Sequence, residues 1–285
     1  MTRFKRILVA LDLSKMDNSV IRYVQFMKNV FSPDKILLGH VVPHSLYAAT
    51  YFPDPVPALA EEALHEVLKD YPGLKNNDKV EVLVGEGRPL EVLLDWCEEE
   101  EIDLLVVGLK RFHEGSGVLP RKVVRRSPCP VLFVPRMKEP AISHVWVPVD
   151  FSDPSVDAMK YAEFLRTGVK GVKVTAHHAV YLPTALTMKL TMTEAQVRKL
   201  KKGAAETFDK FVSKNELEDL KYKRVITRSP VENPAAHILD EAKSHRANLI
   251  VISPEGHSKI DLLFLGSVTE KLLTVNHEIA TLVLK

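Results

Sequence analysis

Phe4-Lys-Arg-Ile-Leu-Val-Ala-Leu-Asp12-Leu-Ser14 returns as His144-Val-Trp-Val-Pro-Val-Asp150-Phe-Ser152, an offset of 138 residues. Each copy is a short apolar run closed by Asp-x-Ser and followed by a polar stretch and a segment of helical period. The rest of the chain repeats as well. Ile102 to Gly108 returns as Ala247 to Ser253, and Cys129 to Val134 returns as Ile279 to Leu284. The offset grows to 145 and then 150, as insertions in surface loops produce.

Within the first copy, strand-like runs at Ile7–Leu11, Ile36–Val42, Val80–Val84, Leu104–Val107 and Val131–Val134 alternate with helical patterns. One apolar stripe is carried by Val20, Ile21, Val24 and Met27, another by Leu64, Val67 and Leu68, and a third by Leu90, Leu93, Leu94 and Cys97. Strands that are apolar throughout and separated by helices predict a parallel sheet covered on both faces. The second copy repeats the plan, with Thr193 to Gln196 as a capping box opening its long second helix. The expected architecture is α/β: two tandem open five-stranded parallel sheets of order 3-2-1-4-5. The domains span residues 1–137 and 144–285, joined by a linker over Met137–Ser143 that carries Pro140.

Bulk properties narrow the function classes. At 285 residues, 46% hydrophobic and 27% charged, the chain has the composition of a globular protein of two ordinary domains. Its 39 basic and 37 acidic residues leave a net charge of +2, too weak a field to argue for nucleic acid as a partner. The N-terminus lacks the apolar core of a signal peptide, and no apolar run reaches the length of a membrane span, so the expectation is a cytoplasmic protein without a membrane partner. Cys97 and Cys129 are expected to be free thiols.

In an open sheet of this order, ligands bind beyond the carboxyl ends of the strands where the order reverses, between the first and fourth strands. Asp12 and Gly108 occupy that place in the first half, Asp150 and Ser253 in the second. After Ser253 comes Pro-Glu-Gly256, then Gly266-Ser267-Val268-Thr269 and a helical run over 270–275. A glycine before a helix lets phosphate approach the first-turn amides, and the hydroxyls of Ser267 and Thr269 add donors there. Asp150 could accept hydrogen bonds from a ribose. Taken alone, the same residues also read as an ordinary glycine turn with a serine N-cap, and Asp150 as capping its own loop.

The Asp-x-Ser strand ends, the spacing G-x2-G-x9-G-[ST] and the Pro-Cys-Pro-Val turn before a last strand together resemble the universal stress protein family. Ser253, Gly256, Gly266 and Ser267 carry the spacing here, with Ser253 in the place of the first glycine. The resemblance covers nearly the whole chain as two copies. It implies a stress-responsive binding or signalling module that, where the glycine loop is kept, binds ATP or a related adenine nucleotide, with or without Mg. By that resemblance, adenine and ribose would lie against Pro148, Val149, Asp150 and Ala179, and the phosphates would meet Gly256, Gly266, Ser267 and Val268. The resemblance also implies pairing through the last strands, as an intrachain pseudo-dimer and in a further homo-dimer.

The first half departs from that pattern. Its loop from Gly108 to Gly117 is four residues shorter than Ser253 to Gly266, with Arg111 and Val118 in place of a glycine and the serine. Pro120 removes a first-turn amide. The expectation is a degenerate site, with Lys110, Arg111 and Arg121 as an alternative means of holding an anion by charge.

No P-loop, G-x-S-x-G or His-Glu-x-x-His sequence occurs, and no general base is evident. Binding rather than turnover is therefore expected. A hydrolase or transferase using His257 or Lys259, and a scaffold without nucleotide, are the alternatives. Adjacent strand residues His177 and His178 should point to opposite faces and not chelate one metal. Glu98–Glu101 reads as a solvated helix end.

Overall fold

In each half the chain begins with an apolar strand. The first, β1 (Arg6–Leu11), buries Ile7, Leu8 and Val9 completely, each side chain contributing roughly 1.5–3 kcal/mol relative to exposure. The computed structural model describes residues 4–43, 56–110, 118–181, 193–229, 234–254 and 266–285. They form two compact units that divide between Ala141 and Ile142.

In the first unit, β1 is followed by α1 (Asp17–Phe31), β2 (Lys35–Pro43), α2 (Val56–Leu68), the short α3 (Pro72–Lys75) and β3 (Val80–Gly87). Then come α4 (Pro89–Glu99), β4 (Leu104–Leu109), α5 (Val118–Arg126) and β5 (Val131–Pro135). The strands pair in parallel in the order β3-β2-β1-β4-β5. The second unit contains β6 (His144–Pro148), α6 (Asp153–Gly168), β7 (Lys173–Val180), α7 (Glu194–Lys214) and β8 (Lys223–Arg228), followed by α8 (Pro234–Ser244), β9 (Leu249–Ile252), α9 (Ser267–Val275) and β10 (Ala280–Val283). Its parallel order is β8-β7-β6-β9-β10. Each unit therefore has the expected 3-2-1-4-5 order, with the reversal beside its first strand.

The apolar stripes found in the sequence become the helix faces against the sheets. Val20, Ile21, Val24 and Met27 of α1 are buried, as are Leu64 and Leu68 of α2 and Leu93, Leu94 and Cys97 of α4. The Thr193 capping box forms as read: the Gln196 amide donates to Thr193 Oγ1, and the Thr193 amide donates to Gln196 Oε1. Gly108 is fixed by packing, because a Cβ there would lie 2.8 Å from Met16 Cγ at the start of α1.

One expectation is corrected. Glu98, Glu99 and Glu101 face solvent, but Glu100 is drawn inward by two cations, Arg6 at 3.1 Å and Lys35 at 3.0 Å. Those partners lie on β1 and β2, far away in sequence, so a run of four glutamates could not reveal them.

Candidate functional site

The turn after the first strand of each unit is backbone-strained at the same place. Leu13 has φ 58° and Phe151 φ 67°, in the left-handed region that a side chain disfavours. This twist closes the turn immediately after Asp12 and Asp150. In the second unit, Asp150 Oδ1 accepts from the Ser152 amide at 3.0 Å, the Ser152 hydroxyl at 2.5 Å and the Ser155 hydroxyl at 2.7 Å. The carboxylate thus caps its own loop and is held in one orientation by buried Ser152 and Ser155. Both readings of Asp150 are compatible, since the same residue lines a cavity.

That cavity has a volume of about 390 Å³, within the range of small-molecule sites. Pro148, Val149, Asp150 and Ala179 form its wall on the β6 and β7 side, and Ser253, Gly266, Ser267, Val268 and Thr269 form the opposite wall. Nine of the ten residues singled out from the sequence are therefore brought together; Gly256 lies outside the described residues. His257 and Lys259, the residues proposed for an enzyme, lie outside them too.

The helix-terminal wall differs in detail from the sequence reading. Gly266, not a serine, is the N-cap of α9, so Ser267 and Val268 open the helix with amides that have no acceptor within it. Gly266 N–H donates to Pro254 O at 2.6 Å, and Thr269 Oγ1 donates to Ser253 O at 2.9 Å. These two bonds tie residues 253–254 to the start of α9. Thr269 is buried and its hydroxyl donates to that carbonyl, so it holds the neck of the loop. Ser253 stands where the pattern has glycine, and its φ is not positive, so its Cβ introduces no left-handed strain.

Several lining residues were missed in the sequence. Ser155, His177, His178, Pro234, Ile238 and Ile252 also reach the cavity. The repeat held a signal for two of them: His178 Nδ1 donates to Val149 O at 2.8 Å, and His40, 138 residues earlier, makes the same bond to Leu11 O at 2.9 Å. Ser155 matches Asp17, which accepts from the amides of Asp12 and Leu13. His177 and His178 have separate partners, as their alternation predicts. His178 stacks on Phe151 with ring centroids 4.1 Å apart, whereas His177 Nε2 meets Thr227 Oγ1 at 2.7 Å. Burial, and then the neighbouring histidines, lower the pKa of His177 to about 3 and keep it neutral.

At the corresponding place in the first unit, Lys110 forms an ion pair with Asp12. Burial works against the Asp12 charge, but Lys110 and Ser14 outweigh it and hold the carboxyl below its usual range. The Lys110 ammonium, offered above as an anion holder, is thereby neutralised. Residues 111–117, including Arg111, lie outside the described residues.

The fold and site define a class: tandem open α/β units, each reversing strand order beside its first strand, with a ligand-sized cavity at the reversal of the second. The chain belongs to the universal stress protein family, whose model matches residues 3–135 and again residues 141–275. A universal stress protein from Archaeoglobus fulgidus DSM 4304 has a similar fold, with TM-score 0.63 and 18% identity, over 98% of this chain and 96% of that one. A functionally unknown protein from Pseudomonas aeruginosa PAO1 gives TM-score 0.67 at 15% identity, over 99% and 92%. No curated protein matches the chain in sequence.

Proposed function

We propose that the second unit binds one adenine nucleotide, ATP foremost, and that the chain works as a nucleotide-responsive binding module in a stress response. The observation that carries this reading is the convergence on one cavity of an oriented carboxylate, Asp150, and the open N-terminus of α9 at Ser267 and Val268. A ribose hydroxyl is a donor suited to the carboxylate. Phosphate is an acceptor suited to the free amides and to the positive end of the helix dipole. Pro148, Val149 and Ala179 supply the less polar wall that a purine needs. Among the described lining residues Asp150 is the one carboxylate, so a magnesium ion arriving with the nucleotide would be held by phosphate oxygens.

The first unit is assigned no nucleotide, because Lys110 already occupies Asp12. Association through the last strands, including a dimer of chains, belongs to the same reading and is measured by light scattering on the purified chain. The site itself is tested by mass spectrometry of ligand released from freshly purified protein, followed by calorimetry with ATP, ADP and AMP. Absence of any nucleotide, both co-purified and in titration, would favour the scaffold alternative.

A further inference from the structure

The opposite end of the second sheet holds a second cavity, of about 500 Å³. It lies at the amino-terminal ends of β6, β7 and β8, about 15 Å along the strands from the candidate nucleotide site at roughly 3.3 Å per residue. Its charged and titratable lining is Lys173, Lys221, Lys223, Arg166, His144, His245 and Tyr222, with no carboxylate among the lining residues. Arg166 is neutralised by Glu163 through bonds of 2.6 and 2.7 Å. Lys173, Lys221 and Lys223 have no ion-pair partner among the described residues.

The first unit shows what this place looks like when it is charge-balanced. Arg6 pairs with Lys35 in register as His144 pairs with Lys173, and Leu37 with Glu81 as Thr175 with Lys223. Asp103 accepts from the amides of Lys5 and Arg6, as Asn248 Oδ1 accepts from those of Ser143 and His144. The Glu100 carbonyl accepts from the Arg6 guanidinium, as the His245 carbonyl accepts from His144 Nδ1. So the two carboxylates that neutralise Arg6 and Lys35 in the first unit, those of Glu81 and Glu100, are replaced by Lys223 and His245, and the amide-bound Asp103 is replaced by Asn248. At these positions the acids have gone and a lysine has been added; the carboxylates that remain beside the cavity are Glu163, which holds Arg166 and accepts from the Lys221 amide at 3.3 Å, and Glu241, 3.9 Å from His245 Nδ1.

We propose that this cavity is a second anion site, separate from the nucleotide site, which takes a compact, multiply charged phosphate compound such as pyrophosphate. The three lysines line one cavity, which suits a compact polyanion better than an extended acidic chain. His144 spans the floor: Nδ1 donates to His245 O, and Nε2 lies 2.8 Å from Thr175 Oγ1. An anion seated among the lysines would be sensed by the rings of both His144 and His245.

The test is titration of the full chain with pyrophosphate, by calorimetry and by ring NMR shifts of the histidines. The variants are Lys223→Glu combined with His245→Glu, which restores the acids of the first unit, and Lys221→Gln as a milder second change at an exposed position. The expected result is saturable binding that shifts His144 and His245, falls at least tenfold in the double variant and severalfold in Lys221→Gln, and persists in Gly266→Val. Binding that is unchanged in both lysine variants, or that is lost in Gly266→Val alone, would overturn the proposal. So would tighter binding of an oligoglutamate peptide than of pyrophosphate.

Discussion

Lys110, immediately after β4, and Asp12, immediately after β1, form an ion pair across the strand-order reversal of the first unit. In the second unit, the matching carboxylate of Asp150 is held instead by the hydroxyls of Ser152 and Ser155. One repeat thus closes the mouth of its sheet with an internal cation, and the other orients the same acid toward a cavity.

The first prediction is a stoichiometry of one nucleotide per chain. Gly266→Val, which places a branched side chain at the N-cap of α9, is expected to abolish binding. Asp12→Ala and Gly117→Val are expected to leave affinity unchanged. Calorimetry on the three variants checks this, and two equivalent sites in the wild type would contradict it.

The orientation of Asp150 should depend on Ser155. That hydroxyl donates to Asp150 Oδ1 and accepts from the Asp150 amide at 3.1 Å. Ser155→Ala leaves the amide without its acceptor, at an expected cost of about 1–3 kcal/mol in stability. Nucleotide affinity should weaken by about tenfold as the carboxylate loses its anchor, a difference to be read from denaturant melts and calorimetry together.

ATP turnover should be slow or absent, since phosphoryl transfer depends on a placed nucleophile and positioned cations. The measurement is phosphate release over many equivalents of ATP. Steady hydrolysis that disappears in His257→Ala would instead support the enzyme alternative.

The two units should respond to pH with opposite sign. His177 has a pKa of about 3 in the fold against about 6.5 in an unfolded chain. Between those values only the unfolded chain takes up the proton, so stability is whole above about pH 6.5 and declines as pH falls toward 3, by about 1.4 kcal/mol per unit. Asp17, raised to about 6 mainly by burial, binds its proton in the fold before the unfolded chain does, so its effect favours the fold as pH falls from about 6 to 3.8. The two slopes oppose each other near pH 5. His177→Asn should therefore leave a chain that gains stability on acidification there, and Asp17→Asn one that loses it, as urea melts between pH 4.5 and 7 would show.

Cys97 and Cys129 are both buried, and the hydrogen bond to Cys129, followed by burial, pushes the Cys97 thiol far above its usual pKa. Neither should react with a thiol reagent in the folded chain, and both should react on unfolding, as absorbance with an aromatic disulfide reagent would show.

The repeat, the strand order and most of the cavity were legible in the sequence because each rests on local pattern. Alternation of apolar runs with helical stripes dictates which faces must be buried, and a reversal beside the first strand then places Asp150 and Gly266 at one mouth. His177, Pro234 and Ile238 were not legible, since they reach the cavity only through the packing of α8 over β7.

Charge compensation is where the sequence alone stopped. Lys110 reads as an anion holder until the fold sets it on Asp12, and Glu100 reads as solvated until Arg6 and Lys35 meet it. Nothing in the sequence singles out Lys223, and only the register of β8 on β7 puts it where the first unit keeps Glu81. Burial patterns are short-ranged along the chain and so are written in it, residue by residue. Whether a charge is neutralised depends on a partner up to about a hundred residues away, and only the tertiary structure decides which partners meet.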